Sequence, residues 1–174
     1  EDLAHNCSWA AGGMLAPYCE LESAESNITT LGERSLELWP EIVADIQATE
    51  HFHQNGSLVV AHRQDMPELS LLENRIAQAG YTESFETLDA RTLAEIEPTL
   101  GGRFHRGLYF AQEGHLNPRP VLKALRAYLQ NLGVEFRFGQ TVKGIAPGAL
   151  KTQEQTMHYD WVIAMRTELC CEVA

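Results

Sequence analysis

The sequence predicts a mixed α/β fold, and three observations carry that reading. Apolar residues recur at helical spacing between about Ser26 and Glu50, at Leu31, Leu36, Leu38, Ile42, Val43 and Ile46. A second helical stripe runs through Val121, Leu122, Leu125, Tyr128, Leu129 and Leu132. Short apolar runs bounded by turn residues, Leu58-Val59-Val60-Ala61 and Leu108-Tyr109-Phe110-Ala111, read as strands. Together they make a mixed α/β pattern.

Taken in order, the chain first offers Ser8-Trp9-Ala10-Ala11-Gly12-Gly13-Met14-Leu15-Ala16-Pro17. Small residues in a row suit a backbone pressed against a flat ligand, because at most a methyl stands in the way. Pro40 is expected to kink the following helix or divide it in two. Gly56 to His62 is a strand after a His-Gln-Asn-Gly turn. Asp65 is placed to cap a helix running through Leu69, Leu72 and Ile76 to Gly80, a good terminating glycine. Thr82 to Leu88 reads as extended, and Asp89 to Ile96 as a short helix stopped before Pro98. Asn117 and Pro118 mark a helix start, with Asn as cap and Pro in the first turn. Gly133 ends that helix, and Val134 to Phe138 reads as a strand. Thr141 to Ala164 is expected to form three or four short strands, the last being Trp161 to Ala164.

With 174 residues, 44% of them hydrophobic, the chain fits one domain or two interleaved half-domains. A net charge of −11 argues against nucleic acid and anionic membrane surfaces as partners. No apolar run is long enough for a membrane span. Of the four cysteines Cys7 and Cys19 are scattered and Cys170 and Cys171 adjacent, which gives neither a disulfide framework nor zinc spacing and predicts a reduced, cytoplasmic setting. Cys170 and Cys171 read as part of an unpaired tail. The triplets at Asn27 and Asn55 read as unused glycosylation matches, and Glu20 to Glu25 as a solvated acidic loop. His51 and His53 share one face of an extended segment but have no third ligand nearby, so no metal site is expected. His105 and His115 are considered as bases, with His115 read as structural because it precedes a helix cap. The chain opens at Glu1 with no initiator Met, signal peptide or Gly-rich phosphate loop, so a piece of a larger nucleotide-cofactor protein is expected.

Three blocks in fixed order carry a family resemblance: Ser8 to Pro17 with Glu20 after it, Glu113-Gly114-His115-Leu116-Asn117-Pro118, and Tyr159-Asp160-Trp161-Val162-Ile163-Ala164. Glu95-Ile96-Glu97-Pro98, shortly before Gly107-Leu108-Tyr109, adds to it. Over about residues 5 to 164 the chain resembles the FAD-dependent amine oxidases of the D-amino-acid oxidase superfamily. It is most similar to the glycine oxidase type linked to thiamine biosynthesis.

The resemblance implies a partial Rossmann-like FAD-binding domain interleaved with an antiparallel-sheet substrate domain. Residues 1–50 and 110–165 fall to the first, 51–109 to the second, and 166–174 to a tail. It implies FAD as cofactor and hydride transfer from a small amine or amino acid, with protein groups supplying orientation and electrostatics. Cys7, Ser8, Ala11, Gly12 and Gly13 would line the flavin, Met14 would lie beside its reactive face, and the Val142 backbone would meet the adenine. No catalytic residue is placed. Two departures stand out: no Gly-x-Gly-x-x-Gly is present, and Met165-Arg166-Thr167 follows Ala164 where the family has a Gly. The chain by itself is therefore expected to be inactive. From another functional class, a non-catalytic folded module that binds a partner or forms a homo-oligomer is also consistent with the sequence.

Overall fold

A computed structural model of the chain describes residues 7–22 and 26–163. Ala164, the Met165-Arg166-Thr167 departure, Cys170-Cys171, the tail and part of the acidic run lie outside the described residues. The described residues divide into two compact units, one up to Leu132 and one from Gly133.

In the first unit, helix α1 is Cys7–Ala10 and strand β1 is Met14–Leu15. Helix α2, Ser26–Asp45, contains Pro40 and is not divided by it. Its far end leads into a core of Val43, Ile46, Ala48, Leu116 and Val121. Burying Val43 and Ile46, at about 1.5–3 kcal/mol each, offsets the ~3 kcal/mol cost of an interior proline. Leu31, assigned to the apolar stripe, is instead 68% exposed.

Two antiparallel sheets follow. Strand β2, Phe52–His53, and β6, Gly114–Leu116, join β1 in the order β1-β6-β2. Strands β3, Ser57–Val60, β4, Glu86–Asp89, and β5, Arg106–Phe110, pair in the order β3-β5-β4. Helix α3, Met66–Gln78, presents Leu69, Leu72 and Ile76 to Leu108 and Phe110 of β5, as its spacing predicts. Gly80 follows with φ +88°, the left-handed conformation expected of a terminating glycine.

Asp65 occupies the cap position of α3, yet its side chain accepts no cap hydrogen bond. A preceding 3-10 turn, Arg63–Asp65, leaves it near φ −102°, ψ 8°, outside the extended conformation that capping requires. Asp89 does cap helix α4, Ala90–Ile96, accepting the Thr92 N–H at 2.8 Å. The segment expected to be extended from Thr82 begins as a 3-10 turn, Thr82–Ser84, before β4. Helix α5, Pro118–Asn131, starts where Asn117-Pro118 predicts, although the Asn117 side chain makes no cap bond. Val121, Ala124, Leu125 and Tyr128 of α5 pack on the Val43 cluster, while Leu132 is 65% exposed.

The second unit is an antiparallel meander of β7, Val142–Ala146, β8, Ala149–Thr152, and β9, Thr156–His158. Val134 to Phe138 is not a strand, nor is Trp161 to Ile163. Neither segment has a ladder partner among the described residues, and apolar alternation alone does not hold a strand. Phe136 and Phe138 stack on each other at 5.8 Å instead, and Glu135 pairs with Arg137 at 2.8 Å. The described sheets are all antiparallel, and with the five helices they bear out the mixed fold class. Among the described residues, no helix is long and apolar enough to cross a membrane.

Candidate functional site

The Cys7 to Met14 run lies on the surface of the first unit and is held from below. Arg119 and Lys123 of α5 sit over the Trp9 ring, at 5.7 and 5.3 Å from its centre. This fixes α1 against α5 and leaves Cys7, Ser8, Ala11 and Gly12 exposed. The chain then turns at Gly13, whose φ is +73°. The Gly13 carbonyl accepts the Leu116 N–H at 2.8 Å. A Cβ on Gly13 would lie 2.1 Å from the Leu116 carbonyl oxygen, whereas one on Gly12 would meet nothing within 4 Å among the described residues.

Strand register then builds a row of side chains. Met14 pairs with His115, and His115 pairs with His53. All three are exposed, and the two imidazoles lie 5.1 Å apart. Their neighbours Leu15, Leu116 and Phe52 alternate to the opposite face and enter the core. Two histidines that the sequence leaves separate are therefore cross-strand neighbours beside Met14. Val142, the remaining residue assigned to the cofactor, opens β7 in the second unit opposite Thr152.

A residue that sequence reasoning left without a role sits behind the row. Glu113 is fully buried. Its Oε1 accepts the backbone N–H of Tyr18 at 2.8 Å and of Cys19 at 3.2 Å. Its Oε2 accepts the Cys19 thiol at 3.0 Å and the Ser57 hydroxyl. The Glu113 carbonyl takes the Gly56 N–H at 2.9 Å. Four donors on one carboxylate satisfy a charge that burial would otherwise make costly. The signal available in the sequence was an acid set between two strand-like runs, a pattern that solvated loops share.

Two acids beside Glu113 are shifted. Burial pushes the Cys19 thiol up to about 12, with Glu113 adding to the rise and the Ser57 hydrogen bond opposing it. Burial also raises Tyr18 to about 12, helped by its hydrogen bond to Glu33 at 3.0 Å. The Tyr18 hydroxyl opens on a groove of about 540 Å³ lined by Glu33, Glu37, Gln54 and Gln112 among others. None of the predicted cofactor residues lines that groove.

The arrangement fits a flat aromatic cofactor at the Ala11 to Met14 run. Gly12 presents bare backbone, Ala11 only a methyl and Met14 an apolar, polarisable side chain at 65% exposure. Among the described residues, no group of three or more His, Cys, Asp or Glu side chains is placed to hold a metal ion.

A family model described as FAD dependent oxidoreductase matches residues 1–165. The chain is similar to a thiamine biosynthesis oxidoreductase, ThiO, of Rhizobium etli, with 42% identity over 129 residues, covering 74% of this chain and 36% of that protein. Its fold is similar to that of glycine oxidase from Geobacillus kaustophilus, with TM-score 0.75, 19% identity and coverage of 90% of this chain and 44% of that one. It is also similar to L-proline dehydrogenase from P. horikoshii, with TM-score 0.69, 16% identity and coverage of 90% and 41%. The chain thus spans less than half the length of each of these relatives.

Proposed function

Because this chain belongs to the FAD dependent oxidoreductase family, we propose that it forms the flavin-facing part of an enzyme oxidising a small amine or amino acid of the glycine or D-amino-acid type. The observation that carries this is the bare, outward-facing backbone at Gly12, set between exposed Ala11 and Met14. In this reading Cys7, Ser8, Ala11, Gly12 and Gly13 line the isoalloxazine, and Val142 meets the adenine through its backbone. When bound, FAD supplies the oxidising chemistry by accepting a hydride from the carbon beside the amine nitrogen.

The chain's own residues orient and shield. Gly12 permits close approach of the ring to the main chain. Met14 lies beside the reacting face and keeps water from it, while Gly13 and Leu116 fix where that face stands. In this reading residues 1–50 and 110–165 serve the cofactor and 51–109 the substrate. That division gives β3 and β4 to the substrate side, with β5 crossing between them up to the Phe110 boundary. Substrates named for the relatives, glycine and L-proline among them, support the amine class. The pyrophosphate loop Gly-x-Gly-x-x-Gly is not among these 174 residues.

The test is to load the protein, in a form that includes the pyrophosphate loop, with FAD and add glycine, D-alanine or L-proline without oxygen. Bleaching of the yellow flavin band by one of them is expected. Uptake of FAD with no bleaching by any small amine would exclude this substrate class.

A further inference from the structure

We propose that Glu113 is a positioning residue for the flavin-facing run, acting through the length of its side chain and not through its charge. The inference rests on the flavin reading above. The segment from Gly13 to Cys19 is tied down at both ends to one short stretch, 113–116. At one end the Leu116 N–H holds the Gly13 carbonyl at 2.8 Å. Between them Met14 and Leu15 pair with His115 and Gly114. At the other end the Tyr18 and Cys19 N–H groups converge on Glu113 Oε1. Glu113 thus sets how far the Met14 strand can slide along β6.

The two carboxylate oxygens divide their work. Oε1 takes only main-chain donors, and Oε2 takes only the side chains of Cys19 and Ser57. An amide oxygen can replace Oε1, and its NH2 can face Ser57 and Cys19, since a hydroxyl turns to accept as readily as it donates. Glu113→Gln therefore preserves the tie to Tyr18 and Cys19. Glu113→Asp keeps the charge but falls one methylene short of the two amides.

The two variants separate reach from charge. Each is made in the full protein, and FAD affinity is measured by flavin fluorescence together with the absorption spectrum of the bound flavin. Glu113→Gln is expected to bind within about threefold of wild type with an unchanged spectrum. Glu113→Asp is expected to bind about tenfold more weakly, the effect of one poorly made hydrogen bond, with a shifted flavin band. The reverse order would show that charge matters and would overturn the proposal. Lower melting temperatures in both variants, with affinity and spectrum unchanged, would reduce Glu113 to a structural residue and also overturn it. Wild-type protein that takes up no FAD at all would instead defeat the flavin reading on which the role depends. Ser57→Ala, which removes a donor from Oε2 alone, is expected to bind FAD like wild type.

Discussion

Tyr18 and Glu113 stand 95 residues apart in sequence and meet at 2.8 Å, the Tyr18 N–H donating to Glu113 Oε1 inside the core. That bond ties the residue just after the first of the three family blocks, Ser8 to Pro17, to the residue that opens the second, Glu113. Their co-occurrence in the sequence thus has a physical basis. Each block supplies the polar partners that the other buries.

Gly13 is required by the fold before any ligand arrives. With φ at +73° and the Leu116 oxygen 2.1 Å from a Cβ, Gly13→Ala must shift a paired backbone. A destabilisation of about 1–3 kcal/mol from backbone strain alone is expected, before the clash is counted. Urea denaturation measures it, and an unchanged midpoint would mean that the turn relaxes freely. Flavin loss in a Gly13 variant would therefore say little about contact with the ring.

Stability is expected to fall in alkali through Cys19 and Tyr18. Both are raised to about 12 in the folded chain, from ordinary values of 9.0 and 10.0. Folding favours their protonated forms, so this contribution is complete below about pH 9 and is lost as pH rises through 12. Denaturation midpoints between pH 7 and 11 should stay level and then decline above about 9. Cys19→Ser, whose hydroxyl does not titrate there, should flatten part of that decline.

The same shift predicts selective thiol chemistry. Cys7 is exposed, whereas Cys19 is half-buried and held as a neutral thiol. The thiolate is the reactive species. Iodoacetamide at pH 8 should therefore label Cys7 and spare Cys19, as peptide mapping would reveal. Equal labelling of the two would mean that the Glu113 pocket opens in solution.

Thr29 on α2 is fully buried, and its hydroxyl has no hydrogen-bond partner among the described residues. Thr29→Val removes the unsatisfied group at nearly constant volume and should stabilise the fold by about 1–3 kcal/mol. Chemical denaturation reads this directly, and a loss of stability would place a partner on that hydroxyl.

Local pattern made much of the fold legible. The spacing of Leu69, Leu72 and Ile76, the short helix stopped before Pro98 and the Asn117-Pro118 start each specify an element through short-range chemistry, and the structure has those elements. Val134 to Phe138 and Trp161 to Ile163 were misread because a strand is defined by its partner, and alternation carries no information about whether one is present. At the site, the small-residue run was visible in sequence. The Met14–His115–His53 row was not, because it depends on strand pairings between residues 62 and 101 positions apart, nor was Glu113, whose burial no local pattern reveals.

Gly12→Val tests whether the flavin ring lies on the Gly12 backbone. Gly12 is exposed, has no φ that excludes a side chain and faces nothing within 4 Å among the described residues, so the described fold tolerates the substitution. A flat ring lying on that backbone does not. The measurement is FAD affinity of Gly12→Val beside wild type in the full protein, with melting temperature as the check on folding. An unchanged melting temperature without FAD and at least about a tenfold loss of affinity, roughly 1.4 kcal/mol, are expected. A folded variant that binds FAD as tightly as wild type would contradict this placement of the ring.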